Sequence, residues 1–210
     1  MKAAVRRLSA SLALVAALIA IGGSVLAATV TGSSGLVTLP TADVLPAGAF
    51  EVGGRYVDER LGLTAAFGAY GDLEVGVNTL EDGTGALDLG VFLKGVLLHE
   101  SASSPGIAVG YESGHGYIVA SKRVAPRVRL HAAYLFGDDP GPAAGVAYSV
   151  STASVTSSGV PRPATTLIAE YTPEGLNAGA RLLVGTAATL DVGLIDLKHP
   201  TAGLTLRLAF

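Results

Sequence analysis

Apolar and polar residues alternate along most of the chain from about residue 48 onward. Segment 73–78, for example, reads LEVGVN, and segment 128–136 reads VRLHAAYLF. Successive side chains of a β-strand point to opposite faces, so each such block predicts a strand with one apolar face and one polar or small face. The pattern predicts about twelve strands, within a range of ten to fourteen, over residues 48–58, 61–69, 72–80, 86–98, 105–113, 116–124, 127–137, 142–150, 164–172, 176–184, 188–197 and 202–210.

Short turn sequences separate the predicted strands. Asp82-Gly83, Gly114-His115-Gly116 and Pro173-Glu174-Gly175 are typical of hairpin turns. Because such connections leave no room for a crossover helix, consecutive strands are predicted to pair as an antiparallel up-and-down meander. The stretch 151–163, rich in Ser, Thr and Pro, is either a flexible loop or holds one further short strand.

The composition indicates which face of these strands is buried. The chain is 50% hydrophobic and only 15% charged, and its mean hydropathy is +0.51. A soluble sandwich or barrel carries many charges on its outer face, whereas the second face here is Gly, Ala and Thr with scattered charges. Apolar residues toward lipid and small or polar residues toward the lumen fit a transmembrane barrel. The predicted fold class is therefore an all-β, antiparallel, up-and-down transmembrane β-barrel, with a soluble periplasmic or surface β-protein as the alternative.

The charged residues of the polar face are candidates for the barrel lumen. Both signs occur in similar numbers, which favours compensating pairs across a narrow interior. His131 shares a face with Arg127 and Arg129, so a patch for an anionic ligand is a second interpretation. The candidate lumen-facing residues are Glu51, Arg55, Glu74, Asp88, Lys94, Glu112, Lys122, Arg129, His131, Glu170, Arg181, Asp191 and Arg207.

The first residues predict export. A basic start is followed by ten consecutive apolar residues at 12–21 and by small residues before a predicted cleavage after Ala27. Ten apolar residues are too few for a membrane-spanning helix. The predicted organisation is thus a signal peptide at 1–27, a periplasmic or plug-like lead-in segment at 28–47 and a β-barrel at 48–210, located in the outer membrane.

The last strand and the tyrosines bear on membrane insertion. The alternation that ends the chain resembles the terminal strand of outer-membrane proteins, which the barrel-assembly machinery captures by strand addition. Its candidate assembly signal consists of Leu204, Leu206, Leu208 and Phe210. Trp is absent, and the predicted thin aromatic belt consists of Tyr56, Tyr70, Tyr111, Tyr117, Tyr134, Tyr148 and Tyr171.

The sequence shows no pattern typical of an enzyme. There is no Cys, and the four His residues lack metal-ligand spacing. No H-E-x-x-H, G-x-S-x-G, Walker or dinucleotide-binding motif is present. The net charge of −3 provides no basic field for nucleic acid. We therefore expect a non-enzymatic protein with no cofactor, no metal and no nucleic-acid partner.

Several segments together resemble one known family. They are GSSGLVTLPTADVLPAG at 32–48, DLEVGVN at 72–78, PGIAVGYE at 105–112, YIVASKRV at 117–124, LIAEYTPEGLNAGARLL at 167–183 and LDVGLID at 190–196. In this order they resemble the YjbH-type family of outer-membrane β-barrels associated with exopolysaccharide operons, in a short, single-barrel form.

The resemblance implies a component of exopolysaccharide or capsule assembly or export. Its implied partners are outer-membrane lipid, polysaccharide and export-system proteins. The alternative is a small outer-membrane channel for ions or small solutes, in which Arg127, Arg129 and Arg181 set the selectivity.

Overall fold

The computed structural model describes residues 28–30, 32–70, 72–151, 154–155, 161–185 and 187–209. The predicted signal peptide and Phe210 lie outside these residues. Within the described ranges, no helix has the length and apolar character needed to cross a membrane. The strands are β1 Ala49–Val57, β2 Arg60–Ala69, β3 Leu73–Glu81, β4 Leu87–Leu98, β5 Gly106–Glu112, β6 His115–Ala125, β7 Val128–Phe136, β8 Gly141–Ser151, β9 Ser154–Val155, β10 Pro161–Arg162, β11 Ala164–Thr172, β12 Gly175–Val184, β13 Ala188–Ile195 and β14 His199–Ala209.

Twelve of these strands close into a single antiparallel barrel. Each barrel strand pairs with its neighbours along the chain, β8 pairs with β11, and β1 pairs with β14 to close the barrel. The two-residue strands β9 and β10 pair with each other, so the stretch 151–163 does hold short strand structure. The predicted fold class is confirmed, and every predicted barrel strand begins and ends within three residues of the observed one.

The hairpin turns follow the twist of the sheet. Asp58 and Glu59 have φ of 47° and 66°, and Ser113 and Gly114 have φ of 46° and 97°. Two consecutive positive φ angles are typical of the type I′ turn, whose twist matches that of paired strands. Because the number of barrel strands is even, β1 begins and β14 ends at the same end of the barrel. We call this end the terminal rim, and the opposite end, which carries the turns after β1, β3, β5, β7, β11 and β13, the hairpin rim.

The outer wall is apolar. In β2, Leu61 and Leu63 point outward and are 62% and 63% exposed, whereas Thr64 and Ala66 point inward and are buried. Exposed apolar residues recur in this way on every barrel strand, which makes a continuous surface suited to lipid. Leu204, Leu206 and Leu208 of the predicted assembly signal lie on this outward face of β14.

The tyrosines occupy the outer wall near the two rims, with one exception. Tyr117 is only 4% exposed and lies on the inner wall, so its predicted place in the aromatic belt is wrong. The outward tyrosines near the hairpin rim are Tyr56, Tyr111, Tyr134 and Tyr171, and those toward the terminal rim are Tyr70 and Tyr148.

The barrel encloses the segment that precedes β1. We call its described residues, 28–30 and 32–48, the plug segment. Its Leu36 and Leu39 pack against Ala143 and Ile168 of the inner wall. A wall glycine makes room for it, since a Cβ on Gly145 would lie 2.4 Å from Leu36 Cδ1. The buried apolar core of the molecule therefore lies between the plug segment and the barrel.

Candidate functional site

Glu170 of β11 binds the backbone of the plug segment. Its carboxylate accepts hydrogen bonds from the amides of Val37 at 3.1 Å, Thr38 at 2.7 Å and Leu39 at 3.3 Å. Asn177 of β12 donates to the same carboxylate at 2.8 Å. A buried amide without an acceptor is costly, and the plug segment has almost no regular secondary structure to supply one. Glu170 therefore supplies hydrogen-bond acceptors for the backbone N–H groups of a turn that pairs with no strand.

Two further glutamates act in the same way. Glu112 accepts from the Ser33 amide at 3.0 Å and from the Ser33 hydroxyl at 2.9 Å. Glu74 accepts from the amides of Ser34 at 2.7 Å and Leu45 at 2.9 Å, and from the Ser34 hydroxyl. Three inward carboxylates from β3, β5 and β11 thus hold the plug segment by its N–H groups.

Cations on the inner wall bind the carbonyl groups of the same segment. Lys94 of β4 is fully buried, and its Nζ donates to the Ser34 carbonyl at 2.6 Å. Arg181 of β12 donates to the carbonyls of Gly35 at 2.8 Å and Leu36 at 3.1 Å. Carboxylates and cations of the wall therefore match the two kinds of backbone polar group.

Arg129 of β7 holds the plug segment near the terminal rim. Its guanidinium binds both oxygens of Asp43 and lies 2.9 Å from Glu100. Burial raises the pKa of Asp43, but the hydrogen bond and charge of Arg129 outweigh burial and bring this pKa below its ordinary value. The predicted anionic-ligand patch is not formed, because two carboxylates neutralise Arg129 while Arg127 is exposed at the terminal rim.

His131 belongs to a hydrogen-bonded chain that reaches the plug segment. Its Nδ1 lies 2.8 Å from Ser121 Oγ, which accepts the Ala42 amide of the plug segment at 2.9 Å. A hydroxyl can accept the hydrogen bond of the Ala42 amide and still form a second one with the ring nitrogen. His131 therefore supports the hydroxyl that holds Ala42.

Charge pairs on the inner wall join neighbouring strands. Arg207 Nη2 lies 2.6 Å from Glu51 Oε1, and Arg181 Nε lies 2.6 Å from Asp191 Oδ1. Each pair occupies directly opposite positions in the register, as do Glu74 and Lys94. The prediction of pairs across the interior is corrected accordingly, because the plug segment occupies that space. Arg55 is also buried on the inner wall of β1.

Two candidate residues lie away from this site. Asp88 has the inward register of Lys94 but is exposed at the hairpin rim. The expectation is wrong for Lys122, which does not share the buried face of Tyr117, Val119 and Ser121. Its Nζ instead donates to carbonyls of the turn between β4 and β5, at Ser101, Ala102 and Ser104.

Several binding residues were not singled out from the sequence. The sequence feature that they share is a side-chain hydroxyl or amide, which lies either in the plug segment or at an inward position of a strand. They are Ser33, Ser34 and Thr38 of the plug segment, and Ser121 and Asn177 of the wall.

A cavity of about 460 Å³ lies above the plug segment at the hairpin rim. We call it the vestibule. Val30, Thr38 and Pro40 of the plug segment line it from within the barrel. The surrounding wall contributes Val57, Asp58, Arg60, Leu80, Glu112, Ser113, His115, Gly116, Tyr117, Leu135, Asp139, Thr172, Pro173, Glu174, Ile195 and His199.

Comparisons with solved structures find two structures of a KdgM porin and one of an outer membrane protein. A KdgM porin matches with 10% sequence identity and a TM-score of 0.50, covering 77% of this chain and 99% of that chain. A KdgM porin in complex with disordered oligogalacturonate matches with 12% identity, a TM-score of 0.49 and the same coverage. The Acinetobacter baumannii outer membrane protein Omp33 matches with 10% identity and a TM-score of 0.41, covering 77% and 97%. No family model and no curated protein matches the sequence.

The first KdgM match shows a shared fold at very low identity. Together with the closed twelve-stranded barrel and its apolar outer wall, this fold points to the outer membrane.

Proposed function

We propose that this protein is a non-enzymatic outer-membrane channel for small solutes, closed by its own plug segment. The observation that carries the proposal is the binding of the plug backbone by charged residues of the inner wall, above all Glu74, Glu170 and Arg181. These polar contacts can be exchanged for contacts with water, so release of the segment leaves a hydrophilic lumen.

The size of the barrel supports this proposal. Barrels of about eight strands are filled by their own side chains, and the interior widens as strands are added. Here twelve strands enclose side chains together with a segment of about twenty residues. A wall lined by Glu, Arg and Lys suits a solute path far better than a permanent apolar core.

The test is single-channel recording of the full chain in a planar bilayer. The wild-type protein is expected to be closed most of the time. The double substitution Glu74→Gln and Glu170→Gln removes two plug-binding charges at nearly constant volume, and we expect it to increase the open fraction at least tenfold. Asp72→Asn, at the exposed turn of the terminal rim, is the matched control and leaves the open fraction unchanged.

A folded double variant that stays silent would contradict the proposal. Heat-modifiable migration on a gel identifies the folded barrel, so a silent result is not confused with misfolding.

A role in exopolysaccharide or capsule assembly or export stays a prediction from the sequence resemblance. Loss of surface polysaccharide on gene deletion, restored by the wild-type chain, would support it.

A further inference from the structure

Arg55 of β1 differs from the other arginine and lysine residues of the inner wall. Among the described residues it forms no ion pair, and all 17 Asp and Glu side chains of the chain belong to those residues. The register explains this, because the residues directly opposite Arg55 on β2 and β14 are Gly62 and Gly203. The other inner-wall cations each form an ion pair, and they are Lys94, Arg129, Arg181 and Arg207.

The guanidinium of Arg55 is buried without a counter-charge. Arg55 is 9% exposed, and its Nε makes no hydrogen bond to any residue in the described part of the chain. Taking a cation out of water is costly unless an opposite charge and hydrogen-bond acceptors replace the water. No carboxylate side chain supplies them here, so the chain by itself leaves this charge uncompensated.

Arg55 lines a cavity of about 30 Å³ between the inner wall and the plug segment. Val30 and Leu36 of the plug segment form one side of the cavity, and Thr201 and Thr205 of β14 lie on the other. A cavity of roughly 10–15 Å³ holds one water molecule. The space beside Arg55 therefore accommodates a small monovalent ion but no organic anion.

The charges around this cavity favour an anion. Asp191 also lines it, but Asp191 Oδ1 lies 2.6 Å from Arg181 Nε, so these two charges neutralise each other. Glu112 lies beyond ion-pair distance of Arg55 and is hydrogen-bonded to Ser33. The positive charge of Arg55 remains, and it attracts a negative ion into the cavity.

Hydroxyl groups next to Arg55 supply further hydrogen-bond donors. In the register, Gly53 of β1 lies opposite Thr64 of β2 and Thr205 of β14, and Thr205 lies opposite Thr189 of β13. All three threonines are buried, and the hydroxyls of Thr64 and Thr189 make no hydrogen bond to a residue in the described ranges. A guanidinium beside a row of hydroxyls is rich in donors, which is what a bound anion requires.

We propose that this cavity binds a chloride ion, held by the guanidinium of Arg55 and the hydroxyl of Thr205. The ion supplies the negative charge that the glycines opposite Arg55 cannot supply. Because the plug segment forms one side of the cavity, bound chloride stabilises the barrel with its plug segment in place. The site does not require that any solute passes through the barrel.

The test compares three sodium salts at equal ionic strength. Urea unfolding of the full chain in liposomes is measured in chloride, in bromide and in gluconate, which is too large for the cavity. A ligand that binds only the folded state stabilises it, so chloride and bromide are expected to raise the folding equilibrium constant at least about threefold over gluconate. Equal stability in all three salts would overturn the inference and indicate that water fills the cavity.

Two variants assign the effect to this cavity. Arg55→Met removes the charge. Gly203→Ala fills space that the ion needs, and its Cβ would lie no closer than 3.8 Å to any neighbouring atom, so the wall accepts it. Both variants are expected to be equally stable in chloride and in gluconate. Arg127→Met, at the exposed terminal rim, is the matched control and should keep the dependence of the wild-type protein on chloride.

The difference between salts is measured within each variant, so a change in its overall stability does not obscure the result. Heat-modifiable migration identifies the folded barrel in every case. A chloride dependence that survives in Arg55→Met and Gly203→Ala, or that disappears in Arg127→Met, would contradict the site.

Bromide also locates the ion directly. Anomalous diffraction from crystals of the full chain grown in bromide should show a peak between Arg55 and Thr205, and this peak should be absent from Arg55→Met. Peaks only at exposed basic side chains would contradict the site. Neither measurement depends on conductance, so a silent bilayer would contradict only the channel, whereas stability without chloride dependence would contradict only this site.

Discussion

The inner and outer walls of the barrel are formed by alternate residues of the same strands, yet they obey different constraints. On β4, Leu89, Val91 and Leu93 face outward and are exposed, whereas Phe92 and Lys94 are buried inside. The outer residues need only be apolar, because lipid accepts any such shape. Most inner charges instead have a defined partner, as Lys94 has in the Ser34 carbonyl. One strand pattern therefore combines a nonspecific outer surface with a specific inner binding wall.

The largest effect is expected from removing an inner charge. Lys94→Met leaves Glu74 without its cation and the Ser34 carbonyl without its donor. The free energy of unfolding, measured by urea titration in liposomes, should fall by about 3–5 kcal/mol. Lys122→Met makes the same chemical change at the exposed terminal rim and should cost much less. Equal losses in the two variants would remove the distinction between the inner wall and the rim.

A charge on the outer wall is expected to have the next largest effect. Leu63 lies at the middle of β2 and is 63% exposed. Leu63→Arg should lower the free energy of unfolding in liposomes by about 2–4 kcal/mol, because the guanidinium would meet hydrocarbon. Leu63→Ile is the control and should leave it nearly unchanged. In a water-exposed barrel Leu63→Arg would be tolerated, so an unchanged stability would contradict the lipid-facing assignment.

A Gly→Ala substitution should lower the free energy of unfolding on the inner wall but not on the outer wall, and its effect should be smaller than those above. A Cβ at Gly145 would lie 2.4 Å from Leu36 Cδ1, whereas at Gly54 the nearest side-chain atom is Leu63 Cδ2 at 3.9 Å. Gly145→Ala should therefore cost about 1–3 kcal/mol by crowding the plug segment, and it should raise the open fraction in bilayer recordings. Gly54→Ala should change neither quantity, and an identical response of both variants would count against close packing of Leu36 on Gly145.

The smallest effect concerns pH. The pKa of Asp43 is lowered by Arg129, so their pairing stabilises the protein above the ordinary value of 3.8. This stability is lost as pH falls through the lowered pKa. The melting temperatures of the wild-type protein and of Asp43→Asn should differ at neutral pH and converge only below pH 3.8. Both side chains of the pair are about one-fifth to one-quarter exposed, which keeps the difference small. If the difference in melting temperature persists in strong acid, it arises from the packing of the Asp43 side chain and not from its charge.

The strands could be predicted from the sequence because two signals agree at most boundaries. Alternation marks each strand, and turn residues such as Asp82-Gly83 end it. In β6 the alternation is ambiguous, since Tyr117 and Val119 on one face and Ile118 and Ala120 on the other are all apolar or small. A shift of one residue exchanges the two faces of a strand. The predicted places of Tyr117 and Lys122 were therefore both wrong.

The partners of the inner charges could not be predicted from alternation. The period of two fixes the face of Glu170, but its distances to Val37 and Thr38 depend on the path of the plug segment. That segment has little regular secondary structure, so its sequence has no hydrophobic periodicity from which its path could be predicted. Its position in the barrel depends on buried leucines and on hydroxyl groups whose partners are distant in the chain, from 40 positions for Ser34 and Glu74 to 132 positions for Thr38 and Glu170.

The seam between β1 and β14 has a consequence for biogenesis. It pairs Glu51 with Arg207, residues 156 positions apart, whereas the other pairings join strands that are close in the chain. Contacts between such distant residues carry the greatest entropic cost and favour late formation. Until the seam forms, the unfinished sheet is open along one side. The plug segment can then pack against the inner face of the open sheet, so it does not have to be inserted through a closed barrel.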